Sequence, residues 1–242
     1  MTPDTVPAQP PRRFPIITVP GYSAVGLLTA LALLFISAPF VQDLPHGDLV
    51  DAMLITLVMV FAVRVLGGRR RTLVIALLLV TPTMVAKWVN HLHPHLLSPV
   101  FQMAFSIAFF AFVVAQLIQF ILRAPRVDAN VLCAGLSGYL LLGLLWTPAY
   151  LVVARLNPAA FVMSAGSDAN ATMDGFHAFY FSLITITTVG YGDICPVSKG
   201  ARMLAAVEAI VGLFYMAVLI SRLVAVYSSP QPAPEPDAKN PL

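Results

Sequence analysis

Thr188-Val189-Gly190-Tyr191-Gly192 decides how this chain is read. It places two glycines two residues apart, between a short apolar run ending at Thr187 and a long one from Gly200 to Tyr227. Glycine reaches positive φ without steric cost. Residues alternating through such dihedrals can turn successive carbonyls toward one axis, and the Thr188 hydroxyl adds an oxygen at one end. A row of oxygens can replace the water around a cation. Non-helical backbone is tolerated at membrane depth only where protein covers it or it lines a water-filled path. The stretch therefore predicts a pore. It occurs once in the chain, and a ring of carbonyls needs four, so four chains must assemble by a closed fourfold rotation.

Composition agrees with a membrane setting. Of 242 residues, 59% are hydrophobic and 10% charged, and the mean hydropathy is +0.85. So few charges cannot clothe a water-soluble domain of this size. Apolar runs near 20 residues, long enough to cross a bilayer as helices, recur at 21–40, 52–66, 72–89, 99–122, 131–154 and 200–227. The net charge of +3 comes with no basic patch interleaved with aromatics, which sets nucleic acid aside. Cys133 and Cys195 lie far apart with no disulfide or zinc spacing. No nucleophile–base pair or metal-ligand cluster falls at membrane depth, so nothing points to an enzyme or an organic cofactor.

Basic residues orient the chain. With the N-terminus inside, Arg12, Arg13, Arg64, Arg69, Arg70, Arg71, Arg123, Arg126, Arg222 and Lys239 fall on the inner side, and Lys87, Arg155, Lys199 and Arg202 outside. That distribution obeys the positive-inside rule. Both termini are then cytoplasmic, in a cell (inner or plasma) membrane, and the acidic connection 43–51 is outside. Arg69, Arg70 and Arg71 suit anionic lipid headgroups or serve as orientation signals alone. His91, His93 and His95 have the chemistry for zinc binding or acid sensing; the plainer reading is a polar loop.

Thr187-Thr188-Val189-Gly190-Tyr191-Gly192-Asp193 resembles the selectivity filter of the potassium channel family, whose TVGYG loops are well known. The resemblance covers roughly the last 100 residues. It implies an outer helix, a pore helix starting at Asp174-Gly175, a filter and an inner helix. It also implies a homotetramer in which Thr188, Val189, Gly190, Tyr191 and Gly192 coordinate permeant potassium ions while Thr187 and Asp193 buttress them. The family usually has two tryptophans where this chain has Tyr180 and Phe181, and the first of them bonds the aspartate after the filter. Here the Tyr180 hydroxyl has that role to fill toward Asp193. Gly212 lies where the family often has a hinge glycine; the other reading is a packing glycine. Glu208 is the only acid in the last helix. An intramembrane carboxylate is expensive and rarely faces lipid, so it belongs against the pore helix or facing water, with a structural or a gating role.

The layout is that of a bacterial-type, voltage-gated-like six-helix subunit without the sensor. Moving one charge across 100 mV is worth about 2.3 kcal/mol, and sensors use three or four arginines. Residues 99–122 contain none, and Arg123 and Arg126 sit beyond them. The expected fold is an all-α membrane protein with six transmembrane helices plus a re-entrant pore helix and selectivity filter, forming a tetrameric pore. Its expected parts are a disordered arm (1–19), a four-helix sensor-like domain (20–126), a pore domain (127–227) and a disordered tail (228–242). The expected function is passive, potassium-selective conduction without conventional voltage gating. The alternatives are a weakly selective cation channel, against which Tyr191 argues, and a non-conducting regulatory subunit.

Overall fold

A computed structural model describes residues 23–41, 47–66, 70–92, 98–124, 126–164 and 172–227. The arm, the tail, Arg69, His93 and His95 lie outside them, as does the side chain of His91. The elements run α1 (Ser23–Val41), α2 (Gly47–Val65), α3 (Arg70–Leu92), α4 (Pro99–Arg123), α5 (Ala129–Leu156), a 3-10 turn (Pro158–Ala160), β1 (Phe161–Met163), α6 (Gly175–Ile186), β2 (Ile194–Pro196) and α7 (Lys199–Tyr227). This is an all-α membrane protein. Among the described residues, α1, α3, α4, α5 and α7 are long and apolar enough to cross a membrane.

The sixth long helix, α2, has 19 residues and carries Asp48, Asp51 and Arg64 near its ends. It starts earlier than the sequence reading, which left residues 43–51 as a connection. Carboxylates are favoured in a first helical turn, where the backbone dipole is positive, and Asp48 sits there. Asp51 also gains a partner, because Lys87 of α3 donates to it at 2.8 Å. Pro82 lies inside α3, which continues through it. Proline is tolerated in helices at membrane depth; beside it the Thr83 hydroxyl donates back to Val80 O at 2.7 Å.

Only five residues separate the end of α4 from the start of α5, and the first four helices pack against the C-terminal half of their own chain. Both α4 and α1 lie along α5. Phe35 of α1 meets Phe179 of α6 edge to face at 4.7 Å. Small residues let α5 and α7 approach closely: Gly135 faces Leu219, and Gly138 faces the Tyr215 hydroxyl, which donates to Gly135 O at 2.7 Å. A cleft of about 1240 Å³ opens between the first four helices and the C-terminal half, lined in part by Asp51, Lys87, Gln102, Arg155 and Asp174.

One side chain ties the last helix to the fourth. The final carbonyls of a helix lack intrahelical donors. Arg222 of α7 supplies them, donating through Nη2 to Ala124 O at 2.7 Å and through Nε toward Ile121 O at 3.5 Å. Arg222→Ala should cost about 1–3 kcal/mol locally, read as faster amide hydrogen exchange at the end of α4. Unchanged exchange there would contradict the link.

Candidate functional site

The site is built on α6. Asp174 caps its N-terminus, its carboxylate accepting from the His177 N–H at 2.8 Å. Twelve residues are too few to span a bilayer, so α6 enters and stops. One face is locked into the protein: Ala178, Phe181 and Ile184 are buried with Tyr150 and Ile194. The Phe181 ring meets Tyr150 at 4.8 Å and Phe161 at 5.6 Å, both edge to face.

At its C-terminal end α6 is held from two sides. Tyr139 of α5 donates to Ile186 O at 3.1 Å, satisfying a terminal carbonyl. Gly212 of α7 presses against the same residue. A Cβ there would stand 2.6 Å from Ile186 Cγ1 and 2.8 Å from Ile186 O. Gly212 is thus a close-approach glycine, and α7 runs through it without a break.

Beyond Ile186 the backbone leaves the helix. The Thr187 and Thr188 N–H groups still reach back to Leu183 O and Thr185 O, at 3.1 and 2.9 Å, and Gly190 N–H reaches Ile184 O at 3.1 Å. The Thr187 hydroxyl donates to Leu183 O at 2.6 Å. Positive φ occurs at Thr188 (59°), Gly190 (54°) and Gly192 (81°), that is, at every second residue. The glycine spacing announced two of these. Thr188 adds a third at a side-chain-bearing position, where left-handed backbone costs about 1–2 kcal/mol. Residues 187–193 are all exposed, with Val189 at 52% and Tyr191 at 73%. Nothing lies within 4 Å of where a Cβ would stand on Gly190 or Gly192.

The far end of the stretch is anchored separately. Tyr180 Oη donates to Asp193 Oδ2 at 2.8 Å, while Asp193 Oδ1 accepts from Ile194 N–H at 3.1 Å. Desolvation by burial, followed by the Asp193 hydrogen bond and charge, pushes the Tyr180 phenol up to about 12. It therefore stays a donor across the neutral range. β1 and β2 pair antiparallel, with Val162 opposite Cys195. That small ribbon was not foreseen, since its strands are three residues each, Phe161–Met163 and Ile194–Pro196. It brings Ser164 to the stretch: its N–H donates to Asp193 O at 2.7 Å and its hydroxyl to Gly192 O at 3.2 Å.

Glu208 is fully buried against α6 and α5. Tyr150 Oη donates to its Oε2, and Ser182 Oγ lies 2.5 Å from its Oε1. Sequence reasoning placed Glu208 beside the pore helix or water but did not name Tyr150, Ser182 or Tyr139. The signal was available: each is a hydroxyl inside an apolar run, where a buried polar group needs a partner.

Residues 139–229 match the protein-family model described as "Ion channel". The chain is also similar to two-pore potassium channel 4 of Arabidopsis thaliana, 38% identical over 60 residues, covering 25% of this chain and 20% of that one. The inward rectifier potassium channel Kirbac3.1 of Paramagnetospirillum magnetotacticum is 34% identical over 85 residues, 35% of this chain and 29% of that one. A Shaker-related potassium channel, tsha2 of Oncorhynchus mykiss, is 35% identical over 51 residues, 21% of this chain and 11% of that one. Residues 139–229 are thus similar to the ion-channel family and to segments of several potassium channels. The chain spans between 11% and 29% of the length of these three relatives. No solved structure gives a significant match. The family segment begins at Tyr139, inside α5, and takes in α6, the glycine stretch and α7. It is a family of ion channels, not of enzymes, and with the apolar helices it makes the chain an integral membrane protein.

Gly212→Ala should destabilise the junction of α6 and α7 by about 1–3 kcal/mol, the cost of overpacking a close contact. Thermal unfolding in detergent measures it. An unchanged melting temperature would mean that the contact yields freely.

Proposed function

We propose that four copies of this chain form a potassium-selective pore through which ions move passively. The fourfold axis runs past Thr188–Gly192 of each copy. Carbonyls of Thr188, Val189, Gly190 and Tyr191 replace the hydration shell, and the Thr188 hydroxyl contributes at the inner end. Thr187 and Asp193 support the filter, with Tyr180 holding Asp193. The observation that supports this best is the alternation of positive φ at 188, 190 and 192 on exposed backbone. Such backbone is acceptable at membrane depth only beside water or further protein, and three more subunits supply both. The C-terminal end of α6 carries partial negative charge, which favours a cation in the cavity it faces.

The rest of the architecture follows from this reading. α2 crosses together with the five more apolar helices, giving six spans with both termini cytoplasmic, as the basic residues at positions 64, 70, 71, 123, 126 and 222 favour. Residues 20–126 form a four-helix domain beside the pore domain 127–227. α4 has no arginine before Arg123, so this domain does not sense voltage by the usual arginine ladder. Arg70 and Arg71 are exposed at the start of α3, where anionic headgroups can meet them.

Purified protein in liposomes should pass potassium and leave sodium excluded. Equal sodium flux would replace this reading with a weakly selective pore, and no flux with a non-conducting subunit. Tyr180→Phe removes one hydrogen bond worth about 0.5–1.5 kcal/mol. It should make potassium flux decay faster during sustained activity while leaving ion preference intact. An unaltered time course would show that Tyr180 does not hold the filter.

A further inference from the structure

We propose that Glu208 is a positioning residue held as a neutral carboxylic acid, whose own proton fastens the inner helix α7 to the pore helix α6. The case rests on counting hydrogens. Ser182 Oγ stands 2.7 Å from Gly143 O and 2.5 Å from Glu208 Oε1. A serine hydroxyl has one hydrogen, and a backbone carbonyl can only accept. If Ser182 gives its hydrogen to Gly143 O, the contact with Glu208 has no hydrogen unless Glu208 brings it. If Ser182 gives it to Glu208 instead, two acceptor oxygens face each other at 2.7 Å with no hydrogen between them, whatever Gly143 O gains from the Thr147 hydroxyl at 3.3 Å. Every contact is satisfied in one arrangement: Tyr150 Oη donates to Glu208 Oε2, protonated Oε1 donates to Ser182 Oγ, and Ser182 donates to Gly143 O.

The surroundings agree. Glu208 has no exposed surface. The groups bonding it are Tyr150 from α5 and Ser182 from α6; no lysine, arginine or histidine bridges it among the described residues. A bare carboxylate buried without a cation is costly, whereas a protonated one is a polar group with both its needs met. The chain Tyr150–Glu208–Ser182–Gly143 joins α5, α6 and α7 at one point. Ser182 immediately precedes Leu183 and Ile184, whose carbonyls receive the Thr187 and Gly190 N–H groups. The proton thereby sets where the start of the glycine stretch sits. This functional consequence rests on the conduction reading; the protonation does not.

Two measurements on the full-length protein in liposomes separate these. The first is the infrared difference spectrum between wild type and Glu208→Gln at neutral pH. Wild type should show the carbonyl stretch of a protonated acid that the variant lacks; carboxylate bands in its place would overturn the proposal. The second is potassium flux. Glu208→Gln, whose amide can donate to Ser182 and accept from Tyr150, should stay within about twofold of wild type, while Glu208→Leu and Ser182→Ala fall about tenfold. Flux in Glu208→Gln as low as in Glu208→Leu would overturn the positioning role. Should Glu208→Leu fail to assemble, Ser182→Ala and the spectrum still decide. Absence of flux from wild type would count against the conduction reading alone and leave the spectrum to judge the proton.

Discussion

In the proposed pore Thr188 to Gly192 lie at membrane depth, where backbone carbonyls must face something polar, and they have neither helix nor sheet to absorb theirs. The rest of the structure answers that constraint. α6 delivers the chain to the right depth and stops. Its last carbonyls, from Leu183, Ile184 and Thr185, take the N–H groups of Thr187, Gly190 and Thr188; Gly192 O takes the Ser164 hydroxyl, and the oxygens of Thr188 to Tyr191 are the groups still open. Positive φ at alternate residues, including the strained Thr188, is the local cost of turning them one way. The surrounding contacts have to overdetermine that backbone for it to persist.

Those contacts come from three directions. Tyr139 and Gly212 close on Ile186 at the inner end. Tyr180 and Ser164 hold Asp193 and Gly192 at the other end. Between them, Glu208 reaches Ser182 and Tyr150 across the three helices. Most of these groups are polar side chains planted in apolar helices, where each has few alternative partners and so specifies one arrangement. The link from Arg222 to the end of α4 adds a mechanical route from the first four helices to α7. That route needs no charge in the middle of α4.

Much of this was legible beforehand. Long apolar runs set the helices to within a few residues, because hydropathy in a membrane protein reports a solvent boundary directly. The glycine spacing announced the positive φ at Gly190 and Gly192, because glycine is the residue that adopts it without steric cost. What stayed hidden was pairing across distance. Asp48 and Asp51 read as a connection, because their fit to a helix start and to Lys87 depends on where α3 lies. The β1–β2 ribbon was missed because three-residue strands have too short a pattern to register, and Phe161-Val162-Met163 took its partner from the far side of the glycine stretch. Gly212 left hinge and packing open, and the approach of Ile186, which gives it a packing reason, depends on where α6 lies. Glu208 announced itself by charge alone; its partners were plain hydroxyls scattered along apolar runs.

The central claim is a ring of carbonyls from four identical chains around a dehydrated cation. Anomalous diffraction from the assembled protein, crystallised with thallium in place of potassium, tests it directly. The account predicts a fourfold axis with a file of anomalous peaks between the levels of the Thr188 and Tyr191 carbonyls. An assembly in which these stretches do not share an axis, or an axis without ion peaks at those levels, would contradict it.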